Sequence, residues 1–278
     1  MAQLMALEGG AAPARQPTAQ RSTGRWRGWV LPGSALALWW LASHLGWSHS
    51  GLLVSPQQVW HTGVEQIVTG ALWRALSASL ARELTGFILG TVGGLLLGGL
   101  LGLSPWAQRA IGPSFNTFKQ ISLFAWIPLI SVWFGLGDLA KIVFLSLAAL
   151  IPVVAHVSDG IRNVPVSLLE VARVFRYNRR QTILRVIVPA ALPSIFTGVY
   201  LALIYSWLAT LGAEYLLVAG RGIGNLLVDG SDQFRMDLVL FGVIVIGLVG
   251  DIPVGPDGVA SRSIAGNPVG AAHALAVN

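Results

Sequence analysis

The chain has 278 residues, of which 54% are hydrophobic and only 11% are charged, and its formal net charge is +6. Soluble domains usually carry about 25% charged residues, so this composition predicts a polytopic membrane protein. Its basic residues lie between apolar runs, which favours membrane orientation by positive charge over nucleic-acid binding. The absence of cysteine excludes disulfides, iron–sulfur clusters and thiolate zinc sites.

Residues 1–28 form a basic N-terminal segment that is rich in Ala, Gly, Gln and Pro, and we expect it to be disordered. The first apolar run follows at residues 29–47. A cleaved secretory signal is the competing interpretation. No convincing cleavage site interrupts the run and further apolar runs follow, so we expect an uncleaved first span.

Residues 48–83 are of mixed polarity and predict an amphipathic external segment followed by a helix that leads into the membrane. A second span then carries a glycine at every fourth position: Gly86, Gly90, Gly94, Gly98 and Gly102. This spacing puts all five glycines on nearly one helix face, where another backbone can approach closely. We therefore expect this face to pack against a neighbouring helix.

The remaining apolar runs predict four further spans, at about residues 118–134, 141–157, 194–219 and 238–250. A short link, residues 104–117, precedes the third span, and Pro128 is expected to kink it. The last run is short, because spanning a bilayer takes about 20 residues. The predicted fold class is all-α, a polytopic transmembrane helical bundle of about six spans.

A basic segment between the fourth and fifth spans predicts two short helices. Four apolar residues fall at helical spacing on the first of them: Leu168, Val171, Ala172 and Phe175. Ser167 followed by Glu170 predicts a capping box, and Asn178 is expected to cap the second helix, which carries several arginines. Two helices with a bend between them form a compact knob that fits a cleft on a soluble partner.

With the N-terminus inside and six spans, most of the basic residues fall on the cytoplasmic side. They are Arg15, Arg21, Arg25, Arg27, Arg109, Lys119, Arg162, Arg173, Arg176, Arg179, Arg180, Arg185 and Arg262. These are 13 of the 18 basic residues, and the bias predicts that the knob lies in the cytoplasm.

The knob resembles the EAA loop of the permease subunits of bacterial ABC importers. Glu170, Ala172, Ile187 and Pro189 match that pattern, whereas Arg176 stands where the family usually has glycine. A glycine there permits the bend between the helices, so Arg176 must bend at some cost or move the bend onward. By this resemblance the residues that couple to an ATPase are Glu170, Val171, Ala172, Arg173, Arg176, Asn178, Ile187 and Pro189.

Residues 50–245 are also similar to permeases of the nitrate, sulfonate and taurine importer group. Four features carry this similarity: Pro56 in LLVSP, the stretch IPLISVWFGLGDLAK at 127–141, PAALPS at 189–194, and Glu214 followed by Gly222-Ile-Gly224. The resemblance implies a type I permease fold and a multi-pass protein of the bacterial inner membrane. The expected solute is a small anion, with an aliphatic sulfonate favoured over nitrate or taurine.

The resemblance also implies the partners, which are a second copy of the permease, two cytoplasmic ATP-binding subunits, an external substrate-binding protein and the lipid bilayer. ATP and Mg²⁺ belong to the ATPase, so we expect no cofactor, catalytic residue, metal or nucleic acid in this chain. An ion-coupled secondary transporter and an intramembrane enzyme are the alternatives. No phosphate loop, zinc-protease motif or nucleophile elbow occurs in the sequence.

Several charged residues have two interpretations. Glu214 is either a substrate-path or gating residue or a structural acid near the membrane interface. Lys119, Lys141 and Arg221 either attract an anion or extend to lipid headgroups, and the arginines of the knob bind lipid, an ATPase, or both. His156 and Asp159 are spaced like metal ligands, but no second pair accompanies them.

The predicted organisation has three parts: residues 1–28, a permease domain at 29–250 with a cytoplasmic coupling loop at 158–193, and a tail at 251–278. The tail is low-complexity coil with a single arginine, whereas the family usually continues its last span into a basic helix. A frameshifted or otherwise altered gene end is our hypothesis for this difference.

Overall fold

The computed structural model describes residues 27–45, 54–217 and 219–251, and within these ranges the chain is helical and has no strand. The helices are α1 (Arg27–His44), α2 (Pro56–Val68), α3 (Ala71–Leu103), α4 (Pro105–Phe118), α5 (Ile127–Phe134), α6 (Asp138–Arg162), α7 (Val166–Val174), α8 (Arg179–Thr182), α9 (Val188–Leu216), α10 (Ile223–Asp232) and α11 (Met236–Asp251). A 3₁₀ turn at Leu123–Trp126 precedes α5, and a π-helical turn at Ile183–Ile187 joins α8 to α9. The all-α fold class is confirmed.

Two predicted segments lie wholly or almost wholly outside the described residues. They are the basic N-terminus, including Arg15, Arg21 and Arg25, and the tail after Asp251.

Residues 1–51 and 52–278 form separate units. In the first unit, α1 is an 18-residue helix without an acidic residue in its first turn, and it starts and ends a few residues before the predicted first span.

Three helical stretches of the described chain are long and apolar enough to cross a membrane: Ala71–Leu103, Asp138–Arg162 and Arg179–Leu216. The α4 helix and the segment Leu123–Phe134 together meet the same criteria but are bent by 94° to each other. Neither α1 nor α11 is among the three, so the count of about six spans stays a prediction.

The centre of the bundle is the contact between α3 and α6. Of the five predicted glycines of α3, four are buried and Gly102 is half-buried. They face α6 in register, with Leu145 opposite Gly86, Ala149 opposite Gly90, Val153 opposite Gly94, Val157 opposite Gly98 and Ile161 opposite Gly102. A Cβ built on any of these glycines would lie 2.5–2.8 Å from the Cβ of its partner, which is closer than side chains pack. Because both helices advance by four residues at each step, α3 and α6 are parallel.

The segment between two parallel helices must cross back from the end of the first to the start of the second. The structure makes this return with two helices. Ser104 caps α4 by accepting a hydrogen bond from the Ala107 amide (3.3 Å), and Pro105 occupies the first turn, where a missing N–H costs nothing. The predicted link at 104–117 is therefore a helix.

The predicted third span at 118–134 is also wrong, because it is not one helix. The α4 helix ends at Phe118, and residues 119–122 are non-helical. The predicted kink at Pro128 is also wrong, since Pro128 lies in the first turn of α5. Proline is tolerated at that position, and the bend of 94° falls before it. The fourth span was placed correctly, although α6 is longer at both ends than the predicted 141–157.

The α9 helix packs against α6 in the opposite direction. Gly198 lies against His156, and Gly160 of α6 lies against Ser194, whose hydroxyl donates to the His156 carbonyl (2.8 Å). Buried Ala149, Val153, Val157 and Ala202 form the core of this contact. The α8 helix, the π turn and α9 form one continuous stretch of 38 residues, so the predicted coupling loop at 158–193 begins inside α6 and ends inside α9.

Replacing Gly94 with leucine is expected to destabilise the bundle by about 1–3 kcal/mol, because a side chain there overpacks the α3–α6 contact. A Cβ at Gly94 would lie 2.7 Å from the Val153 Cβ, whereas a Cβ at Gly99 meets no atom within 4 Å. Gly99→Leu is therefore the matched control and should unfold at or above the wild-type temperature. Thermal unfolding of the purified proteins in detergent measures the difference, and equal melting temperatures for the two variants would refute the packing role.

Candidate functional site

The α7 helix stands apart from the long helices. It starts at Val166 after Pro165, and no side chain caps its N-terminus. The predicted capping box of Ser167 and Glu170 is therefore wrong, because Pro165 sets the start of the helix and Ser167 already lies inside the first turn. It follows α6, which ends at Arg162, after three residues, and it contacts the π turn before α9.

The surface of α7 is apolar and open. Of the predicted apolar stripe only Ala172 is buried. The exposed apolar side chains on and just after the helix are Val166, Leu168, Val171, Val174 and Phe175, with Val174 81% exposed. Glu170 and Arg173 are exposed as well, and within the described chain neither forms an ion pair. An exposed apolar cluster of this kind is typical of a surface that binds another protein or a membrane.

The bend after α7 falls at Arg176, which has a φ of 51°. The Tyr177 amide donates to the Ala172 carbonyl (3.0 Å), and the Arg176 amide donates to the Arg173 carbonyl (2.9 Å). This pair of bonds is a Schellman motif, in which the residue with positive φ is usually glycine. An arginine in this left-handed conformation costs roughly 1 kcal/mol or more. Of the two outcomes predicted for Arg176, the structure shows the bend at Arg176 itself.

Asn178 starts the second helix of the knob, as predicted. Its side-chain oxygen accepts from the Gln181 amide (2.8 Å), and the Gln181 side chain accepts in return from the Asn178 amide (2.9 Å). The Arg185 guanidinium lies over the Tyr177 ring, 5.8 Å from its centre. Ile187 ends the π turn and Pro189 lies in the first turn of α9, so both belong to the connection between the knob and the bundle.

A buried ionic cluster lies at the opposite end of the long helices. Arg82 of α3 binds Glu214 of α9 (Nη2 to Oε1, 2.5 Å) and Asp138 of α6 (Nη1 to Oδ1, 2.9 Å), and it also donates to the Arg221 carbonyl (2.6 Å). Glu214 is 1% exposed. The cluster therefore ties three long helices and the segment before α10 together at one point.

Both carboxylate oxygens of Glu214 have further hydrogen-bond donors. Its carboxylate accepts from the Ser79 hydroxyl (2.7 Å) and from the Gly224 amide (2.8 Å). Both glycines of the Gly222-Ile-Gly224 turn lie so close to Glu214 that a Cβ on either would collide with its side chain. These contacts favour the structural interpretation of Glu214 over the gating one.

Lys141 is the least expected member of this region. It lies one turn into α6, it is 0% exposed, and its ammonium group has no hydrogen-bond partner among the described residues. Glu83 of α3 is buried too, and the Ser206 hydroxyl donates to it (3.4 Å). The spans thus contain more polar groups than the sequence indicated, because residues 48–83 were predicted to precede the second span as an external segment and a helix that leads into the membrane.

A cavity of about 580 Å³ lies beside the break between α4 and α5. Its walls come from that break, from the middle of α6 and from the middle of α9. The polar side chains on these walls are Lys119, Ser122, His156 and Tyr205, and the other lining residues are apolar. Sequence reasoning singled out Lys119 and His156 but placed Lys119 on the cytoplasmic side. In the structure it lies in the break beside the middle of α6, which is distant from it along the chain.

Comparisons with known proteins agree with this architecture. Residues 90–252, more than half of the chain, match the profile of the family described as "Binding-protein-dependent transport system inner membrane component". A protein of Escherichia coli (strain K12) named as an aliphatic sulfonates transport permease is 36% identical over 81% of this chain and 85% of its own. The taurine transport system permease protein of the same organism is 31% identical over 77% of this chain and 79% of its own.

A relative from Bacillus subtilis (strain 168), also named as an aliphatic sulfonates transport permease, is 33% identical over 86% of each chain. Among solved structures, a chain of the MetNI methionine ABC transporter in an inward facing conformation matches with a TM-score of 0.52. That match has 23% sequence identity and covers 71% of this chain and 96% of that one, so it is evidence for the fold alone. The chain belongs to the family of binding-protein-dependent transport system inner membrane components.

Proposed function

We propose that this chain is the permease subunit of an ATP-driven importer that carries a small organic anion, most closely an aliphatic sulfonate, across the bacterial inner membrane. The observation that carries the proposal is the α7 knob, which presents an open apolar surface and Glu170 beside a sharp bend. The relatives named for aliphatic sulfonates and taurine support the class of solute.

In this proposal a cytoplasmic ATPase subunit binds the permease at α7. The knob is held by a Schellman bend and by the Asn178 cap, and it leads directly into the 38-residue stretch that ends at Leu216. A displacement of α7 is therefore passed along a continuous helix to the far end of the bundle. Rigid-body motion of this kind switches a transporter between inward-open and outward-open states.

The other partners follow from surfaces that the described chain leaves open. Several large apolar side chains of α3 point away from the bundle: Ile88, Leu89, Val92 and Leu96. Lipid and a second copy of the permease are the proposed neighbours of such a surface. A substrate-binding protein delivers the solute on the external side, where the ionic cluster lies. ATP and Mg²⁺ act in the ATPase partner, so the permease itself performs no chemical step.

Reconstitution tests the proposal. The permease, its ATPase subunit and its binding protein are placed in proteoliposomes, with taurine or an alkanesulfonate as the solute. Uptake that requires both ATP and the binding protein is the expected result. Uptake by the permease alone, driven by a proton or sodium gradient, would contradict the proposal and support an ion-coupled secondary transporter.

A further inference from the structure

The cavity beside the break between α4 and α5 has the size and position of a solute site. Its volume of about 580 Å³ falls within the range of roughly 300–1,000 Å³ that small-molecule pockets show. Along α6 it extends from Ala148 to His156. At 1.5 Å per residue, Ala148 lies about 15 Å from the start of α6 and His156 about 9 Å from its end. The cavity therefore lies beside the middle of the membrane-crossing helix α6, away from both of its ends.

The break itself is consistent with a cavity. Inside a bilayer, a chain that leaves its helix exposes backbone groups that lipid cannot satisfy. Such a break is tolerated where it is buried in protein or lines a polar cavity, and transporters bind their solutes at such discontinuous helices. Here the chain is non-helical around Ser122, and no side chain caps the 3₁₀ turn that follows. The non-helical residues thus line the cavity and are not enclosed in a contact between two helices.

The charge of the lining selects the kind of solute. Among the residues that the structure describes, Lys119 is the one charged residue that lines the cavity, and no carboxylate accompanies it there. The Ser122 hydroxyl, the His156 imidazole and the Tyr205 hydroxyl add hydrogen-bonding groups. Asp159 and Arg162 line a smaller adjoining space of about 80 Å³ that also reaches Lys119, and their opposite charges offset each other. The main cavity is therefore electropositive.

The rest of the lining is apolar. Ile151, Leu201 and Leu208 form much of the wall, with Pro152 and Ala209 beside them. A cavity with one cation and an apolar wall suits a solute that has an anionic head and a short hydrocarbon body. A bare inorganic anion would leave the apolar wall without a contact, and a neutral hydrocarbon would leave Lys119 without a counter-charge.

We propose that this cavity is the membrane binding site for the transported anion, with the oxyanion head toward Lys119 and the hydrocarbon body against Ile151, Leu201 and Leu208. The inference deepens the proposed function, on which it rests for the direction of transport. Lys119 supplies the counter-charge, and His156, Ser122 and Tyr205 hold the oxygens of the head by hydrogen bonds.

Calorimetric titration of the full chain in phosphatidylcholine nanodiscs tests the site without any ATPase. Pentanesulfonate is the probe, and nanodiscs that lack anionic lipid exclude a lipid headgroup as the source of the signal. The wild-type protein is expected to bind pentanesulfonate saturably, and sulfate and pentanol each at least tenfold more weakly. Lys119→Met should weaken pentanesulfonate binding at least tenfold, whereas Lys119→Arg should keep it within a few-fold.

Arg221→Met is the matched control, because Arg221 is an exposed arginine that lines a separate pocket of about 390 Å³ outside this cavity. Its binding of pentanesulfonate should equal that of the wild type. If Lys119→Met does not fold, Tyr205→Phe and His156→Gln decide instead, and each should weaken binding several-fold.

Three results would overturn the site: no saturable binding by the wild type, unchanged binding in the lining variants, or a loss of binding in Arg221→Met. Failure of the proposed function looks different. Pentanesulfonate would then bind to the cavity, but the reconstituted complex would show no ATP-driven uptake.

Discussion

Replacing Glu214 with methionine is expected to destabilise the permease by about 3–5 kcal/mol, because it removes the buried counter-charge of Arg82 and leaves only the exposed carboxylate of Asp138. The carboxylate of Glu214 binds Arg82, the Ser79 hydroxyl and the Gly224 amide at once, and the buried ammonium of Lys141 lies in the same region. Chemical or thermal unfolding of the purified protein in detergent measures the loss.

The control for this variant is Asp229→Met, since Asp229 is an exposed acid in α10. Its free energy of unfolding should lie within about 0.5 kcal/mol of the wild-type value. The double variant Arg82→Met/Glu214→Met should lose less free energy of unfolding than the two single variants lose together, because it removes both members of the pair. Strict additivity, or wild-type stability of Glu214→Met, would show that the pair does not hold the helices together.

Changing Glu170 to lysine is expected to lower ATP-driven uptake at least tenfold while leaving membrane insertion and the melting temperature unchanged. Glu170 is exposed and makes no ion pair in the described chain, so the folded permease loses no contact with the change. What changes is the charge that the knob presents to its partner, and a like charge across an interface costs affinity. The measurement is uptake in the reconstituted complex, together with recovery of the ATPase subunit with tagged permease.

Glu65→Lys provides the matched control, because it makes the same charge inversion at an exposed acid of α2, far from α7. It should leave uptake and ATPase recovery at wild-type values. If Glu170→Lys keeps full solute-stimulated ATPase activity, α7 is not the coupling element.

Local features of the fold could be predicted from the sequence. A glycine at every fourth position lies on one helix face whatever the helix packs against, so the contact face of α3 was predictable. The Asn178 cap was also predictable, because its partner Gln181 lies only three residues away in the sequence. The identity of the helix that faces the glycines was not, since nothing near Gly94 in the sequence points to Val153.

The ionic cluster shows why longer-range features were missed. Arg82 and Glu214 are 132 residues apart, and the sequence alone does not pair them. A charged side chain is costly within a membrane, and residues 48–83 were predicted to be an external segment followed by a helix that leads into the membrane. Pairing with Glu214 and Asp138 offsets that cost, and Arg82 therefore lies in the same continuous helix as the glycine face.

Proline misled the prediction of the third span. Pro128 was expected to kink the third span, and residues 104–117, which contain Pro105 and Pro113, were predicted to be a short link. In the structure Pro105 and Pro128 both lie in the first turn of a helix, and Pro113 is accommodated inside α4. The true break falls at residues 119–122, which contain no proline, and the candidate solute cavity lies there.

The central claim is that α7 lies on the cytoplasmic side and the ionic cluster on the external side. The chain has no cysteine, so a single introduced cysteine reports its own position without background. Val174→Cys on the exposed end of α7 and Asp229→Cys on α10 are labelled in intact cells with a membrane-impermeant maleimide. We predict labelling of Asp229→Cys in intact cells and of Val174→Cys only after the membrane is opened. Labelling of Val174→Cys in intact cells would place α7 outside, beyond the reach of any ATPase, and would contradict the account.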